Sequence, residues 1–484
     1  MPPTASPATS PAISGAPPAP APIAQPSVTV AAPARVLSID VLRGLTIALM
    51  ILVNDPGDWA HTYTQLDHAP WNGFTLTDFV FPNFLFLVGA SIIFSLQSRL
   101  ARGDSKKTLA LHILRRASLI FAIKMFLTAF PYFHYTHFRI YGVLTRIALC
   151  YLAAGLICLV TQRARTLIAI TAALLIGYWA LLRFVPIPGI GTPTHDVPLL
   201  DQDRNLTAWL DRAINAFTQS TLHTGTLYEH TRDPEGLLST LPATATTLIG
   251  SLTALWLTRV PHDRRGVVHD SKRVPHDRRS LTAPIVGSVS NTTLPSPPSR
   301  TTSTVYHSER SEEPPHLART APSITPTRCL NGLIISGILS LTAGLLWNLT
   351  FPINKNLWTS SYVLYSAGWS LLTLALCYWL IDMRRLNRTP TGKALLWPWL
   401  VFGSNAITAF VISNLVVKIM LWIKVSDSFS TTGKPVTAWF WTYRHLFARH
   451  GSTNVTSVLF AIAVVLVCFL PNWLLWRKKI FLKI

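Results

Sequence analysis

The chain has 484 residues, 49% of them hydrophobic and only 13% charged, with a mean hydropathy of +0.35. Soluble domains carry about a quarter charged residues. Half that share, with several runs of about twenty apolar residues, excludes an ordinary soluble fold and leaves an α-helical integral membrane protein. The formal charge of +21 would suit a nucleic-acid binder. The Lys and Arg residues, however, sit in short clusters between apolar runs, as topology signals do, so no nucleic-acid partner is expected.

Residues 1–34 are dominated by Pro, Ala, Ser and Thr and have no charged side chain, and no basic region precedes an apolar one. This predicts a disordered tail rather than a signal peptide. About ten spans follow, near 36–54, 75–97, 109–130, 143–161, 166–185, 237–258, 330–350, 360–381, 395–422 and 455–476. The third is weakest at its start, where Arg115 and Arg116 mark an interface. The ninth contains Pro398, Gly403, Asn405 and Asn414, which predicts a broken or kinked helix. The organisation expected is a tail (1–34), a first membrane part (35–258), an insertion (259–328) and a second membrane part (329–484). The insertion repeats RVPHDRR at 259–265 and 273–279 and continues rich in Ser, Thr and Pro, so it reads as a disordered linker. Residues 186–236 hold an amphipathic stretch near 205–217 that could cover a site, lie in the interface or simply pack as a loop. Cys150, Cys158, Cys329, Cys377 and Cys468 fall in or beside apolar runs without metal-ligand spacing, so neither a disulfide framework nor a metal site is expected.

Loop charge predicts orientation. Connections after spans two, four and eight carry Arg99, Arg102, Lys106 and Lys107, then Arg163 and Arg165, then Arg384, Arg385, Arg388 and Lys393. The C-terminus adds Arg477, Lys478, Lys479 and Lys483, whereas the connection between spans one and two has no Lys or Arg. Lys424, Lys434, Arg444 and Arg449 after span nine run against the trend. The positive-inside rule then puts both termini in the cytoplasm and the His68 loop on the far side.

Polar residues at membrane depth are a default sign of function. Asp40 and Arg43 are three apart on span one, so they can pair with each other or anchor an anionic ligand. Asn54 ends that span before Asp-Pro-Gly, as a helix cap or as a donor to a developing oxyanion. His68 is the leading candidate for proton transfer, because an imidazole titrates near neutrality. Asp67 or Asp78 would orient its ring. His61 competes less well for the same role. Arg146 and Lys124 are cations inside apolar spans, placed to pair with a carboxylate or to mark an anion's path. Asn354, Lys355 and Asn356 lie in a polar turn, FPINKNLW, suited to interfacial capping or to contacting a sugar or cofactor head group.

Five stretches carry a family resemblance: RVLSIDVLRGLTIALMILVN (35–54), HAPWNGFTLTDFVFP (68–82), FRIYGVLTRIALCYL (138–152), DPEGLLSTLPA (233–243) and FPINKNLWTSSYVL (351–364). In order and content they resemble the heparan-α-glucosaminide N-acetyltransferase family, and more closely its bacterial homologues. The likeness covers most of 35–476 and leaves out the tail and the insertion.

The resemblance implies a multi-span acyltransferase that carries an acetyl group from cytosolic acetyl-CoA to an amino sugar or cell-envelope glycan across a bacterial inner membrane. Sugar O-acylation is the alternative within that class, and transport of a sugar or envelope precursor the alternative outside it. His68 takes the place of the family's proposed active-site histidine, either acylated itself or acting as general base, and Asn54 that of its implicated asparagine. Asp78 joins them as orienter. Asp40, Arg43, Arg146, Asn354, Lys355 and Asn356 are then the candidates for holding the acyl donor. The expected partners are acyl-CoA, an amino-sugar or glycan acceptor, the bilayer and a second copy in a homodimer.

Overall fold

The computed structural model describes residues 36–260, 324–426 and 434–482. The tail expected at 1–34 and nearly all of the expected insertion lie outside the described residues. The chain folds into α1 (Leu37–Asn54), α2 (Leu76–Leu100), α3 (Lys106–Ala129), α4 (Val143–Val160), α5 (Ala164–Phe184), α6 (Leu206–Leu222) and α7 (Thr240–Leu257) before the insertion. After it come α8 (Pro326–Asn348), α9 (Ser360–Cys377), α10 (Pro390–Ser404), α11 (Ala406–Trp422), α12 (Ala438–Thr442) and α13 (Asn454–Arg477). A two-residue ribbon, β1 (Lys424–Val425) against β2 (Val436–Thr437), is the described β-sheet.

Among the described residues, eight helices are long and apolar enough to cross a membrane, or nine if the bent pair α10–α11 counts as one. The protein is therefore a polytopic helix bundle. The expected span not among those helices is the third, α3, which has the length but carries Lys106, Lys107, Arg115, Arg116 and Lys124. The break expected in the ninth span falls at Asn405, where α11 leaves α10 at 80°. Pro398 stays within α10, and the turn opens one residue after Ser404.

Enclosure sorts the helices. In α2, 78% of the apolar window is buried, whereas in α8 only 22% is. Ile335, Ile338, Leu339, Leu345 and Leu346 of α8 face outward, which lipid tolerates as readily as a protein core does. Close helix contact replaces water exclusion as the packing force. A side chain at Gly89 of α2 would collide with the Thr247 carbonyl of α7, and one at Gly250 of α7 with the Phe86 carbonyl of α2. Between them the Ser251 hydroxyl donates to the Gly89 carbonyl at 3.0 Å.

Two local features set the frame of α1 and α2. The Asp382 carboxylate accepts from the Leu37 and Ser38 amides at 3.3 and 3.2 Å, so an acid occupies the positive end of α1. Thr75 and Asp78 form a reciprocal capping box that starts α2. Thr325 caps α8, and residues 326–328 form its first turn. The insertion returns to its origin: the Ile324 amide donates to the Arg259 carbonyl at 3.0 Å.

Candidate active site

Pro56 follows the end of α1 and prevents its continuation, so residues 55–75 run as a loop with short 3₁₀ turns back to α2. Within that loop His68 Nδ1 lies 2.8 Å from Asp78 Oδ1. Asp78 is 1% exposed, and its Oδ2 accepts from the Ala69 amide (3.1 Å), the Thr75 amide (3.2 Å) and the Thr75 hydroxyl (3.1 Å). The carboxylate that caps α2 thus also fixes the imidazole. With Nδ1 donating to Asp78, Nε2 is the nitrogen left to accept a proton. Of the two candidate orienters Asp78 is the one in contact with the ring, and the Asp67 side chain accepts from the His68 backbone amide at 2.7 Å. His61 is engaged elsewhere, with Nδ1 2.8 Å from Asp58 Oδ2.

The turn at 351–359 docks onto this loop. The Gly73 amide donates to the Ile353 carbonyl at 2.9 Å, and Asn354 Nδ2 donates to Asn72 Oδ1 at 3.1 Å. Lys355 Nζ then lies 2.9 Å from His68 Nδ1, 3.1 Å from its Nε2 and 3.4 Å from Asp78 Oδ1. Burial holds the Lys355 ammonium below its usual range, while the Asp78 charge pulls the other way. Asn354 is fully buried and serves the turn itself, accepting from the Leu357 amide at 2.9 Å. Asn356 is half-buried in the same turn.

Asn54, His68 and Lys355 share the wall of a cavity of about 80 Å³ with Met50, Thr77, Val143 and Glu235. Glu235 is the residue that sequence reasoning missed. It lies within DPEGLLSTLPA, yet nothing local marks it as facing His68. Arg139 places it: one guanidinium bonds Glu235 Oε2 at 2.6 Å and forks onto Asp233 at 2.7 Å through two nitrogens.

Asp40 and Arg43 lie at the other end of α1. Arg43 donates to Asp40 Oδ1 (3.2 Å) and to Ser91 Oγ of α2 (2.7 Å). Both line a cavity of about 570 Å³ together with Arg99, Arg102, His112 and Arg116. Arg146, expected among the donor-binding residues, lines neither this cavity nor that of His68. It is 1% exposed, its guanidinium 4.9 Å from the Trp358 ring centre, and it donates to the Gly236 carbonyl at 3.1 Å and to the Ser239 hydroxyl. Its observed contacts tie the segment after Glu235 to the 351–359 turn. Among the described residues no group of three His, Cys, Asp or Glu side chains could hold a metal ion.

The family model described as heparan-alpha-glucosaminide N-acetyltransferase, catalytic, matches residues 35–269. That segment belongs to this catalytic-domain family. It contains His68, Asn54, Asp78 and Glu235, whereas Lys355 reaches the family's segment from beyond its end. The chain is also similar to the heparan-alpha-glucosaminide N-acetyltransferases of Homo sapiens and Mus musculus, 26% identical to each. The human alignment covers 79% of this chain and 53% of the relative, and the mouse alignment 80% and 54%. The chain thus spans about half the length of the curated relatives it matches.

Proposed function

We propose that the protein is an inner-membrane acyltransferase that moves an acetyl group from acetyl-CoA to the amine of an amino sugar or cell-envelope glycan on the periplasmic side. One observation carries this reading. The Asp78-oriented imidazole, Asn54 and Glu235 face one small cavity at one end of α1, and a larger basic cavity flanks the other end.

The larger cavity fits the donor's charged portion: Arg43, Arg99, Arg102 and Arg116 would hold its phosphates by bidentate, charge-assisted bonds. Arg43 precedes Asn54 by eleven residues of α1, or about 16 Å along the helix axis. An extended thioester arm is the ligand shape that suits such a separation. When bound, the donor supplies an activated acyl carbon. His68 Nε2 takes the proton that an ammonium acceptor must lose, or attacks the acyl carbon itself. Asp78 holds the ring and stabilises its positive charge in either route. Asn54 offers a side-chain N–H to the developing oxyanion. The Glu235 carboxylate recognises a cationic amine and favours it over a hydroxyl acceptor.

The test is acetyl transfer by purified protein from labelled acetyl-CoA to a panel of amino sugars, with His68→Ala in parallel. Product from wild type alone supports the reading. Equal product from both would remove His68 from the chemistry. Transport is the second reading, favoured by the broken pair α10–α11, since discontinuous helices mark many transporter sites. Absence of acetylation together with sugar uptake into proteoliposomes would favour it.

A further inference from the structure

A third polar cavity, of about 290 Å³, lies between α3, α4, α11 and the 130–142 connection. Lys124, Thr128, Arg139, Asn414 and Lys418 line it, and Val143 is a wall of both this cavity and that of His68. The two lysines have neutral oxygens as their hydrogen-bond partners. Lys124 Nζ donates to the Thr128 hydroxyl and to the Arg139 carbonyl at 3.1 Å, and Lys418 Nζ donates to the Phe130 carbonyl at 3.1 Å. Neither forms an ion pair among the described residues. Arg139, by contrast, is clasped by Asp233 and Glu235.

The charge balance favours an anion at this cavity. One arginine against two carboxylates is net negative by one, and two lysines over-compensate, leaving one positive charge at the cavity. A charge among apolar helices calls for a partner. We propose that this cavity binds one singly charged oxyanion: a carboxylate, a sulfate ester or a phosphodiester. Its source is an anionic substituent of the acceptor, seated beside the His68 cavity, or a phospholipid head group. The acceptor source rests on the acyltransferase reading; the anion site itself does not.

The test begins without turnover. Purified protein in neutral detergent is titrated with dimethyl phosphate at constant ionic strength, and the thermal midpoint is followed. The midpoint should rise for wild type and for Lys418→Arg. Lys418→Met and Lys124→Met should each bind at least about tenfold more weakly, as expected for losing a charged hydrogen bond. Equal affinity in wild type and both Met variants, or no response in wild type, would overturn the proposal whatever the protein catalyses. Two further arms name the source. A KM for an amino sugar bearing an anionic substituent that rises in the Met variants, with the kcat for glucosamine, which has no such substituent, unchanged, assigns the site to the acceptor. Phosphatidylglycerol adducts present in native mass spectra of wild type and absent in the Met variants assign it to a head group.

Discussion

Asp78 serves two structures with two oxygens. Oδ1 holds the His68 ring, and Oδ2 collects the donors that begin α2. An Asn at this position that keeps the three donors on its oxygen must turn its NH₂ toward His68 Nδ1. That forces the other tautomer and takes the lone pair from Nε2. Asp78→Asn should therefore lower kcat by about 10²–10⁴-fold, with acetyl-CoA binding unchanged by equilibrium dialysis. Asp67→Asn, which alters a contact to backbone alone, should leave kcat nearly unaffected; equal losses would refute the assignment of Asp78 as orienter. Glu235→Gln should raise the KM for an amine acceptor by about tenfold or more while sparing any hydroxyl acceptor. A uniform loss on both acceptors would reduce Glu235 to a partner of Arg139. His68 was legible in the chain because a titratable ring stood in a loop free of Lys and Arg. The residues by themselves left Asp67 and Asp78 both open as partners of the ring; Asp78 was the expected orienter, and the turn geometry is what brings its carboxylate to His68 Nδ1.

Between elements, close approach and burial carry the energetics. Gly89 and Gly250 let α2 and α7 meet backbone to backbone, so Gly250→Leu should cost about 1–3 kcal/mol, read as a lower thermal midpoint in detergent. Outside the membrane-spanning helices, α6 brings a second constraint. Burial, and then the neighbouring Asp233, pushes the Asp211 carboxyl up to about 7, and burial does the same to Asp55 in the loop after α1. The folded protein holds these protons more tightly than the unfolded chain. The resulting stabilisation is complete below the ordinary carboxylate pKa of about 4 and is lost as pH rises to about 7. From pH 6 to pH 8 the wild type should lose about 1.4 kcal/mol more than Asp211→Asn. Parallel pH profiles of the two melting curves would contradict that. The amphipathic pattern of 205–217 announced α6; its role as the carrier of a buried acid depends on where Asp233 lands.

For the whole molecule, the hydrogen bond between Arg259 and Ile324 makes a direct prediction. Replacing 261–323 by a short Gly/Ser linker should preserve both the thermal midpoint and turnover, because the flanking backbone already meets; loss of either would give the insertion a structural role. Reporter fusions after Lys107 and after Arg385 should both report cytoplasm, and a periplasmic signal at either would reverse the proposed orientation. Class, approximate span number and a break within the ninth span could all be read from the chain, because apolar length and helix-breaking residues are local properties that a bilayer enforces within each segment. The sequence alone also marked out His68, Asn54 and Lys355 as separate points of interest. Their meeting was decided by the tertiary structure, since Lys355 reaches His68 across 287 residues, through two turns whose pairing has no local period. The same holds for Glu235, which enters the cavity because Arg139 and Arg146 pin its segment, and for Arg146 itself. A buried cation looks the same in sequence whether it binds a ligand or a carbonyl, and only the partners brought to it by folding separate the two.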